Sequence, residues 1–548
     1  MIPKTVNIIL IIYVSLVFAM LIGWFIVYYI IFPMPKIIDL VPDSTVAYID
    51  ITDLDSSLAA VQGSEFVDRV ARSQWWASFK SSRLWLELSQ DIADLQQLGL
   101  DRETIMRLFG KHSIAAFYFS SASGQQNFNY LLISELDMFT RLVMASGQIE
   151  RMVSPEYDLV KEKYKGIRLI TVKTPDRIYI YAFAGRAGFL SSNISLVKEA
   201  IDIYKQGSHG VSGIPEFSKL TSALPVSDTS FYINAVKFQE SAEVLRRYDL
   251  NPSSLSLISR ISLWAGAVYH EDGKLRINNY FLYRKVSEEY VKSNTNAKID
   301  LPLPNNSLAF VIHKSLKPEY LFNWLERNVS SRFAIIRNGL LPIVHESIGE
   351  AVLAPNTSEY QIIPPLLFFM RVRNNIIAET ALNDFKTSLK MQNQQIEFSE
   401  TLYDGVRINY LSYLPGVSLP VGIGYAFIQS DLLVLATDMS ALKSMVDVLN
   451  GKTRSIIEQT QYLNVMTPIG GTSDKVVYIK LKELYPIVEQ VAKLYLYQSM
   501  ITGNRKAERL AITLADNAFI LESWNYLGTV WTSDEDKMNL KITLSKTD

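Results

Sequence analysis

The same series of predicted elements occurs twice along this chain of 548 residues, and this repetition constrains its fold more than any other feature. Each copy opens with a proline turn that leads into a short apolar strand, at Val41–Tyr48 and again at Leu303–Phe310. Proline beside small polar residues predicts the turn, and the apolar residues that follow predict the strand. A Tyr-x-Gly turn recurs in the same way, at Tyr164–Leu169 and at Tyr403–Ile408.

The best match between the two copies is a capped helix. It begins after Asn193 in the first copy and after Asp438 in the second, and it ends before Gly207 and before Gly451. An Asn or Asp at the N-cap accepts free N–H groups of the first turn, and a glycine past the end adopts the left-handed conformation. Because the elements recur in the same order, we predict two similar lobes produced by internal duplication.

Apolar and polar residues alternate in several predicted strands, as in Ile178–Tyr181 and Lys537–Ile542. This alternation is typical of antiparallel sheet with one covered face. Helices come at irregular intervals, which favours α+β over a parallel α/β sheet. The predicted fold class is therefore α+β, with a single N-terminal transmembrane helix followed by two tandem, internally duplicated lobes of mainly antiparallel sheet covered by helices.

The predicted membrane helix is the apolar run Val6–Phe32, which contains no charged residue. As a helix it would be about 40 Å long, more than the ~30 Å hydrocarbon core of a bilayer. A cleaved signal peptide is the alternative, but its apolar core is only about 7–15 residues long. The run continues well past the possible cleavage site at Ala19. We therefore expect an uncleaved signal-anchor.

The residues that flank this run favour a cytoplasmic N-terminus, since Lys4 precedes the run and Lys36 is soon offset by Asp39 and Asp43. The bulk of the chain is then expected outside the cytoplasm. The predicted parts are a tail at 1–5, the anchor at 6–32, a first repeat at 33–285, a linker at 286–300 and a second repeat at 301–548.

Composition excludes several classes of function. The net charge of −1 argues against a nucleic-acid-binding protein, because neutralisation of phosphates needs a basic surface. The chain has no cysteine, which excludes disulfides, thiolate zinc sites and a cysteine nucleophile.

One pair of motifs resembles a catalytic pair. Ser195-x-x-Lys198 and Ser440-x-x-Lys443 have the spacing of the serine and lysine in penicillin-binding enzymes. That chemistry also needs a Lys-Thr-Gly strand, and the sequence contains none. The alternative is that both serines complete a helix N-terminus and both lysines lie in solvent, and we favour it.

Acidic residues and histidines give no convincing metal site. Asp50, Asp53 and Asp55 are close in sequence, but a calcium loop also needs a glycine turn and a later bidentate carboxylate. Asp53 is more simply explained as a helix cap. Five histidines are widely separated: His112, His209, His270, His313 and His345. We predict no catalytic, metal-binding or cofactor-binding residue, and a protein that is not an enzyme.

Two groups of residues are candidates for contacts. Ser15, Ala19 and Gly23 recur every four residues, so they share one face of the predicted membrane helix and would let a second helix approach closely. Small residues are also common in such helices without any partner.

Aromatic residues crowd a second stretch, which contains Trp75, Trp76, Phe79 and Trp85. They either fill a core or anchor a partner. Because Trp75 and Trp76 are adjacent, both cannot point inward from one helix. Trp75, Trp76 and Trp85 are therefore the candidates for partner contact.

The opening proline-turn strand of Val41–Tyr48, the single anchor and the doubled layout resemble a bacterial family of membrane-anchored extracytoplasmic proteins of unknown function. The resemblance implies a protein of the bacterial inner membrane with its bulk in the periplasm, and it carries over no catalytic residue. We expect a non-enzymatic protein that scaffolds or regulates a larger envelope complex through membrane-protein partners. The alternative is a binding module for a lipid or other apolar ligand in a cleft of the lobes, and an enzyme is a third possibility.

Overall fold

The computed structural model describes most of the chain from residue 36 onward, with gaps. The described residues are 36–54, 65–97, 111–122, 125–137, 140–141, 146–147, 157–175, 177–240, 258–284, 301–314, 316–328, 333–355, 364–392, 394–413, 423–470, 473–534 and 536–546. They divide into two compact units. The first takes in the described residues of Met1–Val67, Trp76–Val268 and Tyr280–Leu282, and the second those of Asp68–Trp75, Tyr269–Asn279 and Tyr283–Asp548.

The prediction of a fold with a membrane-spanning helix is corrected. Among the described residues no helix is both long enough and apolar enough to cross a bilayer. The longest of them, Leu481–Thr502, has 22 residues but carries four charged side chains, which hydrocarbon would disfavour. The signal-anchored architecture and the single-pass inner-membrane and periplasmic location therefore have no support in the structure. The predicted anchor 6–32, with Ser15, Ala19 and Gly23, and the predicted linker 286–300 lie outside the described residues.

The strands of the first half of the chain are short and mostly amphipathic. They are β1 (Ala47–Ile51), β2 (Ser113–Ala122), β3 (Gln125–Glu135), β4 (Asp158–Tyr164), β5 (Ile167–Lys173), β6 (Ile178–Ala184), β7 (Ala187–Ser191), β8 (Thr229–Asn234), β9 (Ile261–Glu271) and β10 (Lys274–Tyr283). Antiparallel pairing in the first unit gives the order β4–β5–β6–β7–β3–β2–β1–β8–β9.

Helices of the same half are α1 (Glu65–Arg72), α2 (Gln74–Ser81), α3 (Arg83–Gln97), α4 (Ile194–Gln206), α5 (Pro215–Thr221) and α6 (Ala235–Glu240). Short 3-10 turns lie at Ile37–Leu40, Val211–Gly213 and Ile258–Arg260. Helix α4 packs on β6 and β7 and buries Val197, Ala200 and Ile201 against the sheet. The larger hydrophobic core of the first unit contains this helix and the sheet face below it, and a separate, smaller cluster includes Ile170, Tyr179 and Leu190.

The second unit contains β11 (Ser307–His313), β12 (Val344–Leu353), β13 (Leu366–Val372), β14 (Glu397–Tyr403), β15 (Val406–Tyr413), β16 (Gly424–Ile428), β17 (Leu432–Ala436), β18 (Lys475–Lys480), β19 (Tyr526–Ser533) and β20 (Lys537–Ser545). Their antiparallel order is β14–β15–β16–β17–β13–β12–β11–β18–β19–β20. Strand for strand, the first nine repeat the order found in the first unit.

Helices of the second unit are α7 (Pro318–Asn328), α8 (Phe333–Leu340), α9 (Asn375–Gln392), α10 (Met439–Leu449), α11 (Thr460–Met466), α12 (Leu481–Thr502) and α13 (Arg505–Ser523). Short 3-10 turns lie at Ile456–Glu458 and Thr467–Ile469. Helix α10 packs on β16 and β17 and buries Leu442, Met445 and Val446, as α4 does in the first unit.

The hairpin turns matched in the sequence adopt the same backbone conformation in both units. Lys165 and Gly166 have φ of 49° and 82°, and Asp404 and Gly405 have φ of 50° and 79°. Two successive residues with positive φ give the tight turn whose twist suits a two-residue hairpin, and glycine adopts such angles most easily.

The residue before each turn makes the same long-range contact. The Tyr164 hydroxyl donates to Asp202 Oδ2 at 3.0 Å, and the Tyr403 hydroxyl donates to Asp447 Oδ1 at 3.0 Å. Each bond joins a β-hairpin to the capped helix, α4 or α10, that covers the sheet.

Candidate functional site

The first unit contains a pocket of ≈ 650 Å³ beside β1. This volume lies in the usual range for small-molecule sites, about 300–1,000 Å³. Its lining includes apolar side chains, among them Ile37, Tyr48 and Phe217, and the group of Asp50, His112 and Glu135. We call these two sets of residues the apolar side and the polar end. Lys36 and five serine or threonine side chains also line the pocket.

Aromatic packing builds the apolar side. Tyr48 stacks on Tyr232 with ring centroids 5.5 Å apart, and the edge of Phe217 meets Tyr232 at 5.1 Å. All three rings are buried, and burial raises the pKa of Tyr48 above its ordinary value, so its hydroxyl stays neutral. Aromatic pairs of this kind give a rigid surface, since each ring has few rotamers to lose.

The wall next to residue 36 is held by close backbone contact. Gly210 N–H donates to Asp39 O at 2.9 Å, and Val211 N–H donates to Val41 O at 2.7 Å. A Cβ atom at Gly210 would lie 1.9 Å from Val41 O, so a larger residue would push the two segments apart. The 3-10 turn Ile37–Leu40 is thereby fixed as one side of the pocket.

Three titratable side chains converge at the polar end. His112 Nε2 lies 2.7 Å from Asp50 Oδ1, and His112 Nδ1 lies 3.8 Å from Glu135 Oε2. They come from three neighbouring strands: Asp50 from β1, His112 from just before β2, and Glu135 from the end of β3. The Glu135 N–H donates to the His112 carbonyl at 2.7 Å, so the β2–β3 ladder fixes their spacing.

The charge of the imidazole is set by competing effects. Burial lowers the pKa of His112, but the hydrogen bond to Asp50 and the negative charges of Asp50 and Glu135 outweigh it, and the pKa is raised above its ordinary value. The buried Arg186 also lies 4.0 Å from Glu135 Oε1. The polar end therefore offers carboxylate oxygens that accept hydrogen bonds, partly neutralised by two cations.

Asp50 belongs to the candidate site, but the sequence analysis grouped it with residues that are not its partners in the structure. It was weighed as a cation ligand with Asp53 and Asp55, whereas the structure pairs it with His112. Asp53 is exposed, and Asp55 lies outside the described residues. Within the ranges that the structure describes, no group of three His, Cys, Asp or Glu side chains is arranged to hold a metal ion.

The sequence of β1 contained a signal that could have indicated this site. Asp50 is two residues from the buried Tyr48, so both lie on the same face of β1, where a carboxylate is unexpected. At the matching position of β11, two residues after Phe310, the second unit has the buried Ile312. The polar end is therefore a feature of the first unit, and the second unit does not have it at the matching position.

Both serines lie at a helix N-terminus, as the favoured interpretation predicts, but the lysines are half-buried and not fully in solvent. Ser195 N–H donates to the N-cap Asn193 at 2.9 Å, and Ser440 N–H donates to the N-cap Asp438 at 2.6 Å. Lys198 Nζ lies 3.1 Å from Glu162 Oε1 and 5.2 Å from the centre of the Tyr164 ring. This contact gives the lysine a partner other than a serine hydroxyl.

The tryptophan candidates lie on α2 and α3. Trp76, Phe79 and Trp85 form a compact aromatic group, with ring centroids 5.2–5.4 Å apart. Trp76 and Trp85 are half-buried, and Trp75 lies on the same helix as Trp76. Contact between these three rings explains why aromatic residues are frequent in this stretch. Contact with a partner stays a prediction.

The comparisons with known proteins indicate an uncharacterised family. Residues 144–333 match the profile described as "Protein of unknown function (DUF3352)". This agrees with the resemblance to proteins of unknown function, and the match does not concern membrane anchoring or cellular location. No curated protein matches the chain.

Similar solved structures include three crystal forms of TP0453. Form III is 10% identical and covers 49% of this chain and 83% of that one, with a TM-score of 0.24. Form IV is 9% identical and covers 45% and 81%, with a TM-score of 0.25. Form I is 12% identical and covers 49% and 82%, with a TM-score of 0.24. Similarity this low does not support any inference about function.

Proposed function

We propose that the first unit is a binding module for a small amphipathic molecule. The observation that carries this proposal is that one pocket is lined both by apolar side chains, such as Tyr48 and Phe217, and by the group of Asp50, His112 and Glu135. An apolar body would pack against Tyr48 and Phe217, and a head group with O–H or N–H donors would bind Asp50 and Glu135. Apolar side chains together with convergent polar groups are typical of small-molecule sites.

The carboxylates favour a donor head over an anionic one. Asp50 and Glu135 accept hydrogen bonds, and an anionic head would meet their negative charge at short range. His112 shows the same preference, since its ring is hydrogen-bonded to Asp50 at 2.7 Å and lies 3.8 Å from Glu135. The scaffolding role and protein partners expected from the sequence stay predictions.

Binding of N-phenyl-1-naphthylamine to the full chain tests the proposal, because this fluorescent probe has an apolar body and a single N–H donor. Ser218→Trp should fill the pocket mouth and weaken binding by about tenfold or more, equivalent to at least 1.4 kcal/mol. Ser218 lines the pocket from α5 and is exposed, so the change spares the core.

Glu216→Trp is the matched control, since Glu216 is exposed on the same helix but does not line the pocket. Its affinity should equal that of the unmodified chain. Equal loss in both variants, or no loss in either, would show that the probe binds elsewhere and would reject the pocket as a ligand site.

A further inference from the structure

The second unit carries a helical hairpin whose end is apolar and exposed. Helices α12 and α13 pack on each other and are joined at Gly503, whose φ of 65° ends α12. The residues buried along them are mostly small, such as Ala492, Ser499, Ala511 and Ala518. We call residues 493–512, the part around the turn, the hairpin end.

Large apolar side chains of the hairpin end face solvent. Tyr497, Met500 and Ile501 are 66%, 78% and 67% exposed. The full exposed set is Leu494, Tyr495, Leu496, Tyr497, Met500, Ile501 and Ile512. A helix that is apolar on every side is normally buried, so this segment needs an apolar environment of its own.

The distribution of these residues decides what can cover them. The four consecutive residues 494–497 are all exposed, and at 3.6 residues per turn they span roughly 300° around the helix axis. A protein partner covers one face of a helix. A lipid interface surrounds an inserted segment on several sides, and it is the surface that fits this pattern.

The charge of the hairpin end also favours a lipid surface. The hairpin end has four basic residues and one acidic residue, in a chain whose net charge is −1. Among the basic side chains, Lys493, Arg505 and Arg509 are exposed beside the apolar set. Apolar and tyrosine side chains flanked by Lys and Arg are typical of segments that lie at the headgroup level of anionic bilayers.

We propose that the hairpin end docks on an anionic lipid surface. Tyr497, Met500 and Ile501, close to the turn at Gly503, enter the interfacial layer and are surrounded by lipid, and Arg505 and Arg509 lie against the headgroup phosphates. The contact is peripheral and involves no crossing of the bilayer. It is independent of the pocket in the first unit, which concerns a small ligand.

A site-specific label tests this docking on the full chain. Because the chain has no cysteine, Met500→Cys gives a single attachment point for an NBD fluorophore. With vesicles of phosphatidylglycerol and phosphatidylcholine, its emission should shift to the blue and rise about twofold or more, since the label leaves water for the interface. With phosphatidylcholine alone the change should be smaller. The readout is local, so attachment of another part of the chain to the vesicles does not produce it.

Met391→Cys is the matched control, because Met391 is 81% exposed at the end of α9 in the same unit. Its label should not respond to vesicles. Arg505→Glu with Arg509→Glu should remove the preference for anionic vesicles. No response at position 500, or an equal response at position 391, overturns the proposal. A blue shift that depends on protein concentration and not on vesicles also overturns it, since the occupant is then a second copy of this chain.

Discussion

His112 is the residue on which the polar end of the pocket depends. It lies between two carboxylates, with Nε2 2.7 Å from Asp50 and Nδ1 3.8 Å from Glu135. Its raised pKa means that the folded chain binds this proton more tightly than the unfolded chain does. The contribution of the protonated imidazole to stability is therefore complete below about pH 6.5 and is lost as the pH rises through the folded pKa.

We predict that Asp50→Asn lowers the pKa of His112. The change removes the negative charge of Asp50 that raises the pKa, leaves at most a weaker hydrogen bond to a neutral amide oxygen, and keeps the burial that lowers the pKa. The measurement is an NMR titration of the imidazole in ¹³C-histidine-labelled protein. The signal of His270, which is exposed on β9, serves as the reference that Asp50→Asn should leave in place. An unchanged His112 titration would mean that Asp50 is not its partner in solution.

At the scale of elements, the sequence predicted the features that neighbouring residues determine, namely helix ends and turns. The helix after Asn193 begins and ends where its caps indicate, and the two Tyr-x-Gly segments that match in sequence form the same turn, with positive φ angles at Lys165 and Gly166. Local signals could not predict the pairing of distant strands, which brings Asp50 next to His112 although the two are 62 residues apart. The hairpin end was also missed, since an apolar run does not show by itself whether its side chains are buried or exposed.

Helix α3 is attached to the sheet by a buried polar group. Asp91 contacts Arg177, and it lies 2.9 Å from the hydroxyl of the buried Tyr179. Asp94, one turn further on, lies 3.1 Å from the same hydroxyl. These contacts connect α3 to β6, and their loss would leave Arg177 and Tyr179 without a carboxylate partner.

We predict that Asp91→Ala lowers the free energy of local opening of α3 by about 2 kcal/mol, the usual cost of losing hydrogen bonds to a buried charge. Hydrogen exchange of the α3 amides in the full chain measures it. Glu87→Ala is the control on the same helix, since Glu87 makes a solvent-exposed pair with Arg83. Its effect should stay within about 0.5 kcal/mol. Similar effects of both substitutions would refute a special role for Asp91.

At the scale of the whole molecule, the two units share a strand order but carry histidines that respond to acid in opposite directions. His313, on β11 of the second unit, has a buried Nδ1 without a hydrogen-bond partner among the described residues. Burial and the nearby Lys475 lower its pKa to about 4. Glu350, on the neighbouring β12, has a pKa that desolvation raises above its ordinary value.

The consequence for stability follows from proton binding. Between about pH 6.5 and pH 4 the unfolded chain binds a proton at His313 and the folded second unit does not, so acid costs this unit at most roughly 3 kcal/mol. Above about pH 6.5, as far as its raised folded pKa, His112 acts in the opposite sense in the first unit, because acid there adds a proton that the folded state binds more tightly.

We therefore predict that acidification from about pH 7.5 to about pH 5 reduces protection of β11, β12 and β18 and leaves that of β1, β2 and β8 equal or greater. Hydrogen exchange, corrected for the intrinsic effect of pH on amide chemistry, measures both units in one experiment. His313→Asn should abolish the loss in the second unit, because the group that resists protonation is gone. His345→Asn, at an exposed position of β12, should leave the loss intact. If His313→Asn loses as much protection as the unmodified chain, the acid response arises from other groups, and the opposed behaviour of the two units is disproved.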